Sequence, residues 1–318
     1  MRCATSCGPD GATLWPCRVS SLEIGAGERL AFVGPNGAGK STTLKILTGV
    51  LTPTSGTVVV GGLVPWRYRV KNNRRIGAVF GHRTQLWWDL PVIESLETIG
   101  RLYGVERVSL ARNMGQLIDV LGIGALLDRP ARQLSLGERM RCDLVAALLH
   151  EPAILYLDEP TIGLDVAVKS DIRRLLRGLS EERRTTLVMA SHDIGDIDEI
   201  CDRLVMMGNG RIVHDGSLEG VRMRFGHEHL IEFVFSIAVA DAAVKARALL
   251  APYPTIALTA DTVYRLQVRF DNRVVSSASL IQRLLPALPV RDVRVDGPDT
   301  ESVIRRLYRG ELRYEEGG

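Results

Sequence analysis

Long apolar runs are what this 318-residue sequence lacks first. No stretch approaches the roughly 20 apolar residues that cross a bilayer. The nearest, Ile231 to Ala240, has the length of a strand. The N-terminus has no apolar h-region, so no signal peptide is expected. A charge excess is also missing: 40 Lys and Arg against 37 Asp and Glu leave +3, which argues against a nucleic-acid partner. Lysine is confined to positions 40, 45, 71, 169 and 245, so arginine dominates, more a coding bias than a binding surface. Cysteines are odd in number, and Cys3, Cys7 and Cys17 lack zinc spacing and a nearby histidine. Reduced thiols, with Cys142 and Cys201, are the expectation. A 46% apolar and 24% charged composition is ordinary for a globular protein, and the length allows two domains. A soluble chain is expected, with any membrane role arising through a partner.

Glycine is plentiful, and its placement carries the chemistry. Residues 34–42 read GPNGAGKST, after the apolar run Leu30-Ala31-Phe32-Val33 and before Leu44, Ile46 and Leu47. That order is strand, glycine loop, helix, with the G-x-x-x-x-G-K-S spacing of a phosphate-binding loop. Gly34, Gly37 and Gly39 allow the tight turn that points successive N–H groups at one phosphate chain, with Pro35, Asn36 and Ala38 between them. The following helix adds positive charge at its N-terminus. Lys40 can reach β- and γ-phosphates, the Ser41 hydroxyl can ligate Mg²⁺, and Thr42 completes the loop.

Four further pieces follow. Ala153 to Leu157 is a continuous apolar run, suited to a strand buried on both faces, and it ends in Asp158-Glu159-Pro160. Beside such a loop the first acid can hold Mg²⁺ and the second can polarise a water. Leu134-Ser135-Leu136-Gly137-Glu138 precedes a helix over 139–150; Ser135 and Glu138 have capping-box spacing, and Ser135 with the Gly137 amide can form an anion site. Ile162-Gly163-Leu164-Asp165 follows the acidic pair. Thr185 to Ala190 is a second buried strand, capped by Ser191-His192-Asp193.

The set GPNGAGKST, LSLGE, ILYLDEP, GLD and SHD resembles the nucleotide-binding subunit of an ABC transporter, across residues 18–222. LSLGERM, TIGLD and QLWWDLPV resemble the type-2 exporter branch, with its daunorubicin-like and viologen-like drug-export systems. The resemblance implies an α/β P-loop NTPase with a RecA-like core, an antiparallel β part and an α-helical lobe at 82–150. It implies ATP and Mg²⁺ as cofactors, Glu159 as base, and His192 as the γ-phosphate contact. Asp165 would couple two sites, and Ser41, Asp158 and His82 would stand at the metal. It also implies a second ATPase subunit, since the signature LSLGE of one chain closes over the loop of another; in the family's terms GLD is the D-loop and His192 the switch histidine. Separate integral-membrane permease subunits are implied too, with the chain peripheral on the cytoplasmic face of the cell membrane. The alternatives are a soluble ABC ATPase without a permease, or a weakly catalytic regulatory partner.

Some positions depart from the pattern. His82 stands where the family has a glutamine, and imidazole offers Mg²⁺ no oxygen; Gln85 can substitute, metal positioning can weaken, or water can fill the gap. Residues 1–14 show no period and promise little order, and Trp15 is the candidate for stacking on adenine. The family usually has another strand here, and a truncated or misassigned start would explain both the missing strand and the patternless first residues. Trp87 and Trp88 suit either a permease contact or the core of the lobe. Asn209-Gly210 predicts a hairpin closing the ATPase domain, 1–222, with a connecting helix at 218–226. Residues 227–318 then read strand, helix, strand, strand, helix, strand, a ferredoxin-like order, with a last helix at 299–309 capped by Asp299.

Overall fold

The computed structural model describes residues 2–4, 21–81, 83–225 and 227–297. Trp15, His82, Asp299 and the expected helix at 299–309 lie outside these. The chain divides into two compact units, Met1–Ser217 and Leu218–Gly318.

In the first unit the chain runs β1 (Arg2–Ala4), β2 (Leu22–Glu23), β3 (Arg29–Val33), α1 (Lys40–Leu47), β4 (Thr57–Val59), α2 (Arg69–Asn73) and β5 (Ile76–Phe80). It continues with α3 (Val92–Leu102), α4 (Arg107–Leu121), α5 (Leu136–Leu148), β6 (Ile154–Asp158), α6 (Val166–Arg183), β7 (Thr186–Ala190), α7 (Ile194–Ile200), β8 (Arg203–Gly208) and β9 (Arg211–Gly216). β1 corrects one expectation: the patternless start contributes a strand that pairs antiparallel with both β2 and β4. Cross-strand hydrogen bonding needs no side-chain period, so composition did not reveal it.

The main sheet has the order β5-β6-β7-β3-β8-β9, parallel except for β9. β3, β6 and β7 are apolar and buried along nearly their whole length, as parallel strands covered on both faces must be. One row of partners fixes the geometry: Phe80 opposite Asp158, Asp158 opposite Ala190, and Ala190 opposite Phe32. The residues that leave the sheet just beyond this row therefore emerge side by side along one edge, the usual ligand crevice of an open α/β sheet. The β8–β9 hairpin turns at Asn209 and Gly210, both with positive φ (50° and 77°), as a type I′ turn requires.

Helices α3, α4 and α5 occupy the interval predicted for the helical lobe. α5 starts at Ser135 with the complete capping box: the Ser135 side chain accepts the Glu138 N–H, and Glu138 accepts the Ser135 N–H. Trp87 and Trp88 are 41% and 53% exposed, so they do not form the core of the lobe.

The second unit runs α8 (Leu218–Phe225), β10 (Glu228–Phe235), α9 (Ala242–Leu249), β11 (Ala257–Thr262), β12 (Arg265–Asp271), α10 (Ser277–Leu284) and β13 (Val290–Asp296). The helix expected at 218–226 thus falls with this unit rather than ending the first. Its antiparallel sheet has the order β11-β12-β10-β13, the ferredoxin-like arrangement. Alternate residues Ile231, Phe233, Phe235, Leu266, Val268 and Phe270 pack with Ala242, Ala246, Leu280 and Leu284 from the two helices.

Candidate active site

The loop after β3 wraps a cavity of about 220 Å³ lined by Asn36 to Thr42, Gly81, Asp158 and Glu159. Gly37 (φ 83°) and Gly39 (φ 103°) take left-handed backbone that a side chain would strain, and Gly39 starts α1 without any side-chain cap. The first N–H groups of that helix are thereby left for an anion. At Gly34 the reason for glycine is different: a Cβ there would run into the Met207 carbonyl on β8.

The Lys40 ammonium donates to the carbonyls of Gly34 (2.6 Å) and Pro35 (3.2 Å). Burial lowers its pKa, and the nearby charges of Glu159 and Asp158 oppose that shift. The Ser41 hydroxyl donates to Asp158 Oδ1 at 3.0 Å, joining two oxygen donors from opposite sides of the cavity. Two hard oxygens are what Mg²⁺ takes from a protein when phosphates and water complete its shell, so these residues fit the ion. Among the described residues no group of three His, Cys, Asp or Glu could hold a metal by itself.

Glu159 has left-handed backbone (φ 55°) and its N–H donates to Ala190 O at 2.8 Å, which turns its side chain toward the switch segment. His192 Nδ1 lies 2.8 Å from Glu159 Oε2, and the His192 side chain is 66% exposed, unlike a histidine satisfied in a core. Next to it Asp193 caps α7 and pairs with Lys169 at 2.6 Å.

Gln85 does not reach this cavity. Its side-chain amide donates to Ala78 O at 2.8 Å, while its N–H and the Thr84 hydroxyl both donate to Asp143 Oδ1, at 2.8 and 2.9 Å. Substitution by Gln85 is the one of the three alternatives that this geometry disfavours.

The remaining predicted residues gather elsewhere. Ser135, Leu136, Gly137, Glu138, Arg141, Gly163, Leu164, Asp165 and Val168 line a second cavity of about 360 Å³. Signature and D-loop interlock there: a Cβ on Gly137 would lie 2.8 Å from Leu164, and one on Gly163 2.8 Å from Leu136. Asp165 caps α6 by accepting the Val168 N–H at 2.9 Å. The two cavities share no residue.

Sequence reasoning passed over several residues that tie these parts together. Asp143, buried in α5, clamps Thr84 and Gln85; a lone acid inside the run Cys142 to Leu149 was its only signal. Asp196, fully buried, accepts from Thr161 and Arg173, linking the segment after Glu159 to the helix after His192. Gly81, whose N–H donates to Asp158 O at 3.0 Å, closes one wall and had no signal beyond being glycine.

A glycine loop entering a helix, with a lysine, a serine and an acidic strand end converging on it in a parallel sheet, defines a P-loop NTPase. The family model for ABC transporters matches residues 17–162. The ABC transporter ATP-binding protein NatA of Bacillus subtilis (strain 168) is 32% identical over 204 residues, 64% of this chain and 82% of NatA. This chain belongs to the ABC transporter family and is an ABC ATPase. The linearmycin resistance ATP-binding protein LnrL of the same organism is 26% identical over 298 residues, 92% of this chain and 93% of LnrL. ATP-binding proteins of import systems also match, over about 200 residues. A solved structure of the ATP-binding subunit of an ABC transporter has a TM-score of 0.60 at 25% identity, covering 64% of this chain and 85% of that one.

Proposed function

We propose that this chain is the ATP-hydrolysing subunit of an ABC exporter, working as a pair with a second copy against separate permease subunits. The observation that carries the paired mechanism is the separation of the two cavities: the loop that can hold a triphosphate and the Ser135–Gly137 surface that can cover one share no residue. A second copy supplies the missing half to each, and Asp165, which lines that surface, would couple the two sites.

In the loop cavity, backbone N–H groups of residues 37–42 and the Lys40 ammonium bind the phosphates of ATP. Ser41 and Asp158 would hold Mg²⁺, which when bound neutralises charge on the phosphate oxygens. Glu159 takes the proton of the attacking water as its oxygen bonds to the γ-phosphorus and the bond to the ADP oxygen breaks. His192, already on the Glu159 carboxylate, orients that group and contacts the γ-phosphate.

One observation favours the exporter reading. LnrL, whose name is a resistance function, matches a length that takes in both units, whereas import proteins match about 200 residues. Exposed Trp87 and Trp88 offer an apolar contact that a permease of either direction could use, and such a contact would set the chain peripherally on the cytoplasmic face of the membrane. No helix among the described residues is long and apolar enough to cross a membrane.

Light scattering of Glu159→Gln with and without Mg·ATP tests the paired site. A doubling of mass on adding ATP is expected, because nucleotide binds while hydrolysis stalls. A variant that stays monomeric with Mg·ATP refutes pairing with a second copy, and one that also fails to bind ATP refutes the ATPase site itself. Flanking genes for membrane proteins of about six helices are the expected genetic context, and their absence would weaken the permease reading.

A further inference from the structure

The signature surface carries an acid where an anion is meant to bind. Glu138 accepts the Ser135 N–H at 2.7 Å and lines the same cavity as Ser135 and Gly137. That backbone N–H holds its carboxyl below the usual range, so the group is ionised at neutral pH. A fixed negative charge therefore stands beside the place where a second subunit's triphosphate would arrive. Like charges brought together in a closing, partly dehydrated interface weaken association.

Among the described residues one cation pairs with this charge. Arg129 donates from Nη1 to Glu138 Oε1 at 2.9 Å and from Nη2 to Gln133 O at 2.7 Å, so its guanidinium is held from two directions. Arg141, which also lines the cavity, directs Nη1 to the carbonyls of Leu121 and Gly122 instead. Asp165 adds a second carboxylate to the lining. The backbone around Arg129 is fixed as well: its carbonyl accepts the Val92 N–H (3.1 Å), Ala131 N–H donates to Leu90 O (3.3 Å), and Arg132 N–H donates to Trp88 O (3.0 Å). The segment that carries the guanidinium is thus bonded through its backbone to the segment that presents the exposed tryptophans.

We propose that Arg129 is a positioning residue of the signature half-site, fixing Glu138 against Ser135 and offsetting the carboxylate charge that a partner's triphosphate would otherwise meet. The inference rests on the paired-site reading above. It assigns Arg129 no contact with ATP; it acts through Glu138.

The test uses the Glu159→Gln chain, with light scattering against ATP concentration in the presence of Mg²⁺. Binding of a fluorescent ATP analogue at low protein concentration checks the loop site separately. Arg129→Gln is expected to raise the ATP needed for half-maximal dimerisation roughly tenfold, since each dimer closes two such sites. Analogue binding to the monomer stays within about twofold, because Arg129 lies outside the loop cavity. Adding Glu138→Gln restores most of the loss, as a glutamine oxygen accepts the Ser135 N–H without the charge, and Arg129→Lys retains most of the wild-type behaviour.

Dimerisation of Arg129→Gln at unchanged ATP, or a double variant no better than the single, overturns the proposal. If the single variant loses even monomer binding, the double variant decides: recovery of both readouts supports the charge role and no recovery overturns it. A parent chain that never dimerises sinks the paired-site reading and this inference together. A parent that dimerises while Arg129→Gln is indifferent sinks the inference alone.

Discussion

Asp143 offers a prediction whose sign and size follow from its surroundings. Burial inside α5 raises its pKa from the usual 3.8 to about 6, against the opposing pull of the Gln85 N–H, the Thr84 hydroxyl and the charge of Arg139. A raised carboxyl pKa means that the folded state binds the proton more tightly than the unfolded chain. Its contribution to stability is therefore complete below about pH 3.8 and is lost as pH rises through about 6. The full difference is about 3 kcal/mol at 1.36 kcal/mol per pKa unit, and linkage places about 1.4 kcal/mol of it between pH 5 and pH 8. Asp143→Asn keeps an oxygen that can accept from both Thr84 and Gln85 but cannot ionise. Its new amide N–H lacks an evident partner, which adds an offset of about 1–3 kcal/mol that does not change with pH. The quantity to read is the change in the difference between variant and wild type, not its absolute value. Denaturant unfolding followed by tryptophan emission suits this, because Trp66, Trp87 and Trp88 lie in the first unit and the sequence of the second has no tryptophan. The variant should gain about 1.4 kcal/mol on wild type from pH 5 to pH 8. A difference that stays constant with pH would show that folding does not raise this pKa, and one that moves the other way would show that Asp143 is stabilised as an ion; either would refute the reasoning.

Two glycines carry further predictions. Gly34→Ala places a methyl group against the Met207 carbonyl, on a strand held by β3 on one side and β9 on the other, so neither backbone can yield cheaply. ATP affinity should fall at least about tenfold, with a loss of roughly 1–3 kcal/mol in stability; nucleotide titration with wild-type affinity would contradict this. Gly137→Ala brings a methyl group within 2.8 Å of Leu164, where signature and D-loop interlock. ATP-driven dimerisation in the Glu159→Gln background should weaken about tenfold while loop binding of nucleotide persists, and equal dimerisation curves would show that the interlock does not shape the contact surface.

What was legible in the sequence is what depends on short stretches of chain. The loop Gly34–Thr42, the apolar strands ending at Asp158 and Ala190, the capping box at Ser135 and the hairpin at Asn209 each write their geometry into a few adjacent residues. Alternation along β10 and β12 gave the ferredoxin-like order for the same reason. Contacts between distant segments left almost no trace. Nothing near Arg2 announces pairing with residues 57–59, and nothing near Arg129 announces a guanidinium aimed at Glu138. Two of the readings that the sequence left open turn on contacts: exposure takes Trp87 and Trp88 out of the core of the lobe, and the bond to Ala78 draws the Gln85 side chain away from the loop cavity.

The register of the main sheet explains why so few residues suffice to build one half of the site and none can build both. Phe80, Asp158, Ala190 and Phe32 form a single row, so Gly81, Glu159, Ser191-His192 and Gly34 leave the sheet as neighbours, although up to 157 positions separate Gly34 from Ser191. Ser135 and Gly137 begin a helix in the lobe, and Asp165 caps α6; neither start lies on that row. A strand edge fixes its residues to within a hydrogen bond, as Ser41–Asp158 and His192–Glu159 show. The lobe surface is fixed as firmly, by the capping box and the Arg129–Glu138 pair, but around a different cavity. In the proposed pair, each of these two half-sites is completed by the other half-site of a second copy. ATP bound between them would then stabilise the pair by its contacts to both halves, which makes association depend on the nucleotide and release depend on its hydrolysis.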